Sequence, residues 1–210
     1  MKVLVACEYS GIVRDAFARL GHDAWSCDIL PTESEGNHYQ DDVLNHLDEG
    51  WDLMIAHPPC TYLTIAGNRW FNEERYGDEA RKRKLLRDEA VDFFKKLLNA
   101  DIPKICVENP VGYINNNYKK PNQIIHPCYF GDEDNKRTAL WLKNLPPLKH
   151  TKYVEPKIYG YFKSGKRKGK PIYFCDWQGG GKNRGKIRSK FWQGIADAMA
   201  NQWGKEVNNV

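Results

Sequence analysis

Residues 2–6, Lys-Val-Leu-Val-Ala, form a short β-branched, apolar run that breaks at Ser10-Gly11. After the break Ile12, Val13, Ala16, Phe17 and Leu20 recur at helical spacing as far as Gly21. The pattern predicts strand, loop and helix. Residues 23–27 read as a second strand, and 51–56 as a clearer one that stops at His57-Pro58-Pro59, since proline lacks the N–H a ladder requires. Over 79–99, Ala80, Leu86, Ala90, Phe94, Leu97 and Leu98 share one side among many charges, which predicts an amphipathic helix. A further buried strand, 104–107, ends at Glu108-Asn109-Pro110. Alternating strands and helices indicate an α/β sheet that is mostly parallel. Ligands of such sheets bind beyond the carboxyl ends of the strands, so the Ser10-Gly11 loop, Asp28, Cys60 and Glu108 should converge on one rim.

The second half predicts a strand at 138–142 and a hairpin of 158–162 with 172–175, whose tip is 163–170. After Gly179-Gly180-Gly181 a last helix, 190–203, aligns Phe191, Ile195, Met199 and Trp203 on one face. The 210 residues suit a single domain, 1–210, with 150–188 as a basic insertion. A hydrophobic content of 41% with 12% aromatics supports a packed core. The first residues turn polar too early for a secretory leader, and no stretch approaches the ~20 apolar residues of a membrane span. Six cysteines occur without a Cys-x-x-Cys pair, which predicts neither a metal site nor a disulfide framework, and suits reduced thiols in a cytoplasm.

Charge adds a partner. The net charge is only +5, but 163–190 carries ten Lys or Arg residues against the single acid Asp176. Lys166, Arg167, Lys168 and Lys170 at the hairpin tip, with Lys182, Arg184, Lys186 and Arg188 beyond it, suit a polyanion such as a nucleic acid, or else a solvated basic loop. At the rim, Gly11 and Asp28 suit a nucleoside site in which backbone N–H groups meet the ligand and a carboxylate takes ribose hydroxyls; they suit an ordinary helix start and turn equally well. Cys60, after two prolines, sits in a stiff turn that holds its sulfur in place, unlike Cys106 and Cys175, which read as small apolar residues inside strands.

The segment Pro58-Pro59-Cys60-Thr61-Tyr62-Leu63-Thr64-Ile65-Ala66-Gly67 resembles the catalytic loop of the cytosine-5 DNA methyltransferases, whose proline-cysteine is followed seven residues later by glycine. Ser10-Gly11, then Val13-Arg14-Asp15-Ala16-Phe17 and Gly21, looks like that family's first motif. Asp28 stands at its ribose-binding acid, Asp41-Asp42-Val43 resembles its Gly-Asp-Ile, and Glu108-Asn109-Pro110 its Glu-Asn-Val. The resemblance covers about the first 110 residues and implies a Rossmann-like S-adenosylmethionine-dependent methyltransferase fold with helices on both faces. It also implies that Cys60 adds to carbon 6 of cytosine while Glu108 protonates or hydrogen-bonds ring nitrogen 3. S-Adenosylmethionine would lie on Tyr9, Ser10, Gly11, Asp28, Ile29, Asp42 and Pro59, and no metal is called for. Arg137 is the candidate for holding the flipped base or orienting Glu108, although the glutamine and one arginine of the family's pattern there are absent.

The sequence departs from the family in having Cys7-Glu8-Tyr9 for Phe-x-Gly, Glu-Asn-Pro for Glu-Asn-Val, and only a short segment in place of the large target-recognition domain. The last departure is typical of small phage-encoded forms and implies relaxed or very short sequence preference on DNA, with phosphates gripped by the basic hairpin. The same chemistry on RNA or a free cytosine nucleotide, and an inactive nucleic-acid-binding regulator or decoy, remain the competing expectations.

Overall fold

The computed structural model describes residues 1–177 and 191–205. Seven strands make one sheet: β1 Lys2–Ala6, β2 Asp23–Asp28, β3 His38–Gln40, β4 Leu53–Ala56, β5 Lys104–Pro110, β6 Gln123–Ile125 and β7 Thr138–Lys143. Their order is β3-β2-β1-β4-β5-β7-β6. Strands β1 to β5 pair in parallel, while β7 runs antiparallel to both β5 and β6. The mostly parallel α/β sheet expected from the sequence is therefore present. Strands β3 and β6 escaped the pattern because each has three residues, too few to show alternation.

Alternation along the central strands builds a core on each face. Val3, Val5, Leu53 and Ile55 pack against Val13, Ala16 and Phe17 of α1 (Ile12–Ala18) and against Ile195, Met199 and Trp203 near the end of the chain. Leu4, Ala6, Met54 and Ala56 point the other way, onto Val91, Phe94, Leu97 and Leu98 of α2 (Glu73–Leu98). Burying one such large side chain contributes roughly 1.5–3 kcal/mol, so the two layers dominate the stability. The buried indoles keep their hydrogen bonds: Trp141 donates to Lys119 O at 2.8 Å and Trp203 to Pro146 O at 3.0 Å.

Several boundaries differ from expectation. Helix α2 starts at Glu73 and is broken at Gly77, whose φ of 49° lies in the left-handed region. Beyond α3 (Tyr113–Asn117), the hairpin consists only of β8 Gly160–Tyr161 and β9 Pro171–Ile172. Residues 174–175 are not strand but open α4 (Phe174–Trp177), where the Cys175 thiol bonds Asp134 Oδ2 at 3.0 Å. A local hydrogen bond and helix thus replace the extended run that Ile172-Tyr173-Phe174-Cys175 suggests. The last helix, α5, is Gln193–Trp203 and starts after Phe191.

Candidate active site at the carboxyl rim

The strand order reverses between β1 and β4, which opens a crevice at their carboxyl ends. The loop after β4 crosses this crevice and carries Cys60. The His57 N–H donates to Ala6 O at 2.9 Å, tying the loop's start to the end of β1. Cys60 O then accepts from the N–H groups of Leu63 (3.0 Å) and Thr64 (3.2 Å), closing a tight turn. Three contacts hold this turn to the end of β5. Asn109 Nδ2 donates to Pro58 O at 2.9 Å, the Tyr113 N–H donates to Leu63 O at 2.8 Å, and Thr64 bridges Gly112. Leu63 is buried beneath them, whereas Pro59 is exposed and Cys60 half-exposed. Gly112 permits the approach, since a Cβ there would stand 2.2 Å from Leu63 O.

Glu108 lies within β5 rather than after it, paired with Leu140, and is largely buried. Its Oε2 is 3.3 Å from His57 Nδ1. The His57 ring lies 4.6 Å from that of Phe191, and its Nε2 is buried without a hydrogen-bond partner among the described residues. The sequence reading missed His57, whose only sequence signal is its place between a buried strand and two prolines.

On the β1 side, buried Glu8 accepts from the N–H groups of Val13 (2.7 Å) and Arg14 (3.1 Å) and from Ser10 Oγ (3.3 Å). The first amides of α1 are thus taken by a side chain. Burial raises the Glu8 pKa, opposed by His57 and by those amides. Cys7 adopts a φ of 58°, and its thiol pKa is pushed up by burial first and then by Asp28, Cys27 and Asp42. The thiol therefore shares its surroundings with both carboxylates assigned to the nucleoside. Asp28 ends β2 and accepts from the Leu30 N–H at 2.9 Å; Ile29 beside it is 75% exposed. Asp42 is exposed and caps a single turn through the Leu44 N–H at 3.0 Å.

The loop that follows Asp28 is fixed by Arg14, a second residue whose role the sequence hides. Its side chain is 1% exposed and donates to Asp15 Oδ1 (2.8 Å), Ser26 Oγ (3.2 Å), Ser34 Oγ (2.6 Å) and Glu35 O (2.9 Å), among others. Gly11 (φ 75°) passes so close that a Cβ would lie 2.0 Å from Ser34 Oγ, and Tyr9 O accepts from the Glu33 N–H at 2.8 Å. Tyr9, Ser10 and Gly11 consequently form one wall with this loop.

Arg137 is exposed and makes no ion pair with a described residue; it precedes Thr138, the partner of Pro110, which sets it at the β5 end of the rim. At the hairpin tip Lys166, Arg167, Lys168 and Lys170 are exposed, but Arg167 is engaged with Asp176 at 3.0 and 2.6 Å. Lys182, Arg184, Lys186 and Arg188 lie outside the described residues. Among the described residues no group of three or more His, Cys, Asp or Glu side chains is arranged to hold a metal, and no helix is long and apolar enough to cross a membrane.

No family model and no curated protein matches the chain. Among solved structures it is similar to a candidate DNA modification methyltransferase encoded within an E. coli prophage, with 15% identity, 67% of this chain and 45% of that one covered, and a TM-score of 0.39. The chain spans less than half the length of that neighbour.

Proposed function

We propose that the chain methylates carbon 5 of cytosine in DNA, with Cys60 as nucleophile and Glu108 as the acid facing the ring. The observation that carries the reading is the fastening of the Cys60 turn to the strand that bears Glu108, through Asn109, Tyr113 and Gly112. A nucleophile and an acid that must act on two sides of one small ring need such mutual fixing.

The β1 side supports a cationic nucleoside rather than a dinucleotide. Glu8 already occupies the amides of α1 that would meet a phosphate, and Asp28 and Asp42 give this side of the crevice its acidic character. S-Adenosylmethionine, when bound, supplies an electrophilic methyl group. Asp28 would take its ribose hydroxyls and Asp42 its adenine amino group, with Tyr9, Ser10, Gly11, Ile29 and Pro59 about them.

The Cys60 sulfur adds to carbon 6 of the cytosine as Glu108 gives a proton or hydrogen bond to nitrogen 3, which moves electron density to carbon 5. Once carbon 5 carried the methyl group, its proton would pass to solvent, carbon 6 would expel the sulfur, and nitrogen 3 would return its proton to Glu108, restoring both Cys60 and Glu108. His57 acts as a positioning residue that holds the Glu108 carboxyl group from Nδ1. Arg137 is assigned to the flipped base. Lys166, Lys168 and Lys170 are assigned to phosphates, which favours a polymer over a free nucleotide.

DNA containing 5-fluorocytosine tests the reading, because fluorine cannot leave carbon 5 as a proton does. With the methyl donor present the full chain should form a covalent adduct that survives denaturation. Cys60→Ser should abolish it, and His57→Gln should slow it and displace its pH profile. Absence of any adduct on DNA, with one formed on RNA or on the nucleotide, would move the substrate; no adduct on any of the three would leave a binding protein.

A further inference from the structure

The chain after Cys60 and the first turns of α2 flank an open cleft of ≈ 490 Å³ lined by Tyr62, Trp70, Tyr76, Arg83 and the neighbouring Glu79 and Lys82. Its volume falls within the roughly 300–1,000 Å³ usual for ligand sites. Three aromatic rings and two cations dominate the walls, with one carboxylate, Glu79, and Leu86 completing them. Trp70 is 40% exposed despite its large ring, which meets Tyr76 at 5.0 Å and 47°. The Arg69 guanidinium lies 4.6 Å from the Trp70 ring and that of Arg75 5.4 Å from Tyr76. Arg83 stands 4.9 Å from the Tyr62 ring, and its Nε is buried without an acceptor among the described residues.

Most acids here are neutralised: Glu73 pairs with Arg81 and Lys84, and Asp78 with Arg81, while Glu79 on the wall has no cationic partner among the described residues and leaves the cations in excess. Arg69, Arg75, Lys82 and Arg83 have no carboxylate partner among the described residues. Exposed aromatic faces flanked by unneutralised guanidinium groups are the surface that single-stranded nucleic acid requires, because every base has a face to stack and every linkage a charge to meet. An acidic peptide would satisfy the cations but leave the indole without a planar partner.

We propose that this cleft takes one unstacked base of the DNA strand next to the target cytosine. The base lies on Trp70, Arg83 donates to its edge, and Arg69 and Arg75 meet the adjoining phosphates. The choice of DNA rests on the proposed methyl transfer; the stacking site itself rests on the cleft. Position links the two: Arg87 donates from Nε to Tyr62 O at 2.9 Å and from Nη2 to Asn68 Oδ1 at 2.9 Å, so the cleft wall is continuous with the Cys60 turn. Occupancy would therefore help seat the turn that carries the nucleophile.

The test is fluorescence anisotropy with the full chain, no methyl donor, and a labelled single-stranded DNA containing one cytosine, followed by versions with a single abasic position stepped along it. Stacking of one base implies that Trp70→Ala, at an exposed site and with an unchanged melting temperature, weakens binding roughly tenfold or more. One abasic position near the cytosine should weaken the wild type to a similar degree and weaken Trp70→Ala no further. Equal binding of all the DNAs by wild type and variant overturns the proposal, as does tighter binding of the matching RNA. A missing 5-fluorocytosine adduct in the wild type alongside an intact abasic effect would reject methyl transfer and not the cleft.

Discussion

Arg14 shows how one buried charge can organise a wall of the rim crevice. Its guanidinium meets carbonyl, hydroxyl and carboxylate acceptors on several segments, so the low dielectric around it is compensated. Arg14→Met would keep much of the bulk and strand those acceptors, and urea titration should show a loss of about 2–5 kcal/mol, with weaker binding of S-adenosylmethionine. A loss under about 0.5 kcal/mol would mean that the 29–37 loop does not depend on it. His46 offers a measurable proton. Burial disfavours its charge, but its ring nitrogens bond Glu49 at 2.6 Å and Asp41 at 3.1 Å, and the net effect raises its pKa above the usual 6.5. Hydrogen bonds hold the pKa values of both carboxyl groups down: the Asp42 amide, Asn45 and His46 act on Asp41, and His46 and Tyr39 on Glu49. The stability due to the protonated imidazole is complete below about 6.5 and is lost as pH rises through the higher folded value; that due to the carboxylates is lost as pH falls through their depressed values. An NMR titration of the His46 Cε1 proton should therefore give a midpoint above 6.5, and a midpoint at or below it would refute the pairing.

At the scale of elements, the Cys60 turn is stiff because its neighbours leave it no alternative. Two prolines fix its entry, Leu63 anchors it, and the β5–α3 connection closes over it. Gly112 is the point of closest approach, and its φ of −168° is ordinary extended backbone, so space alone demands glycine there. Gly112→Ala should push the turn away from the β5–α3 connection at a cost of roughly 1–3 kcal/mol, a typical penalty for overpacking. Adduct formation with 5-fluorocytosine DNA should fall much further than the melting temperature suggests; a rate equal to the wild type would show that the turn tolerates the displacement. Gly77 acts differently, since its positive φ turns the short Glu73–Tyr76 segment against Trp70 and so shapes the aromatic cleft.

Across the molecule, exposed positive charge gathers, among the described residues, at the hairpin tip, while Asp28 and Asp42 stand near Cys7 on the β1 side of the crevice. A cationic donor and a polyanionic substrate would thus be drawn to different regions. Changing Lys166, Lys168 and Lys170 together to Gln should lower the slope of log affinity for duplex DNA against log salt by up to about 0.9 for each phosphate that is no longer neutralised. Because Arg167 is held by Asp176, Arg167→Gln should change that slope less than any one of these lysines. An unaltered slope in the triple variant would remove the hairpin from the interface.

Sequence alone determined the alternation of strands and helices, the class of the sheet, and the loop in which Cys60 lies. Those features follow from local periodicity and from prolines and glycines, whose conformational limits act within a few residues. Strands β3 and β6, the break at Gly77 and the helical turn at Phe174-Cys175 depended on pairing and contacts from distant segments, which a local pattern does not encode. The same holds for His57 beside Glu108, Arg14 beneath the 29–37 loop and Arg83 against Tyr62. Each role belongs to a pair or a cluster brought together by folding, and a burial or hydrogen-bond partner that is remote along the chain is decided only when the sheet assembles.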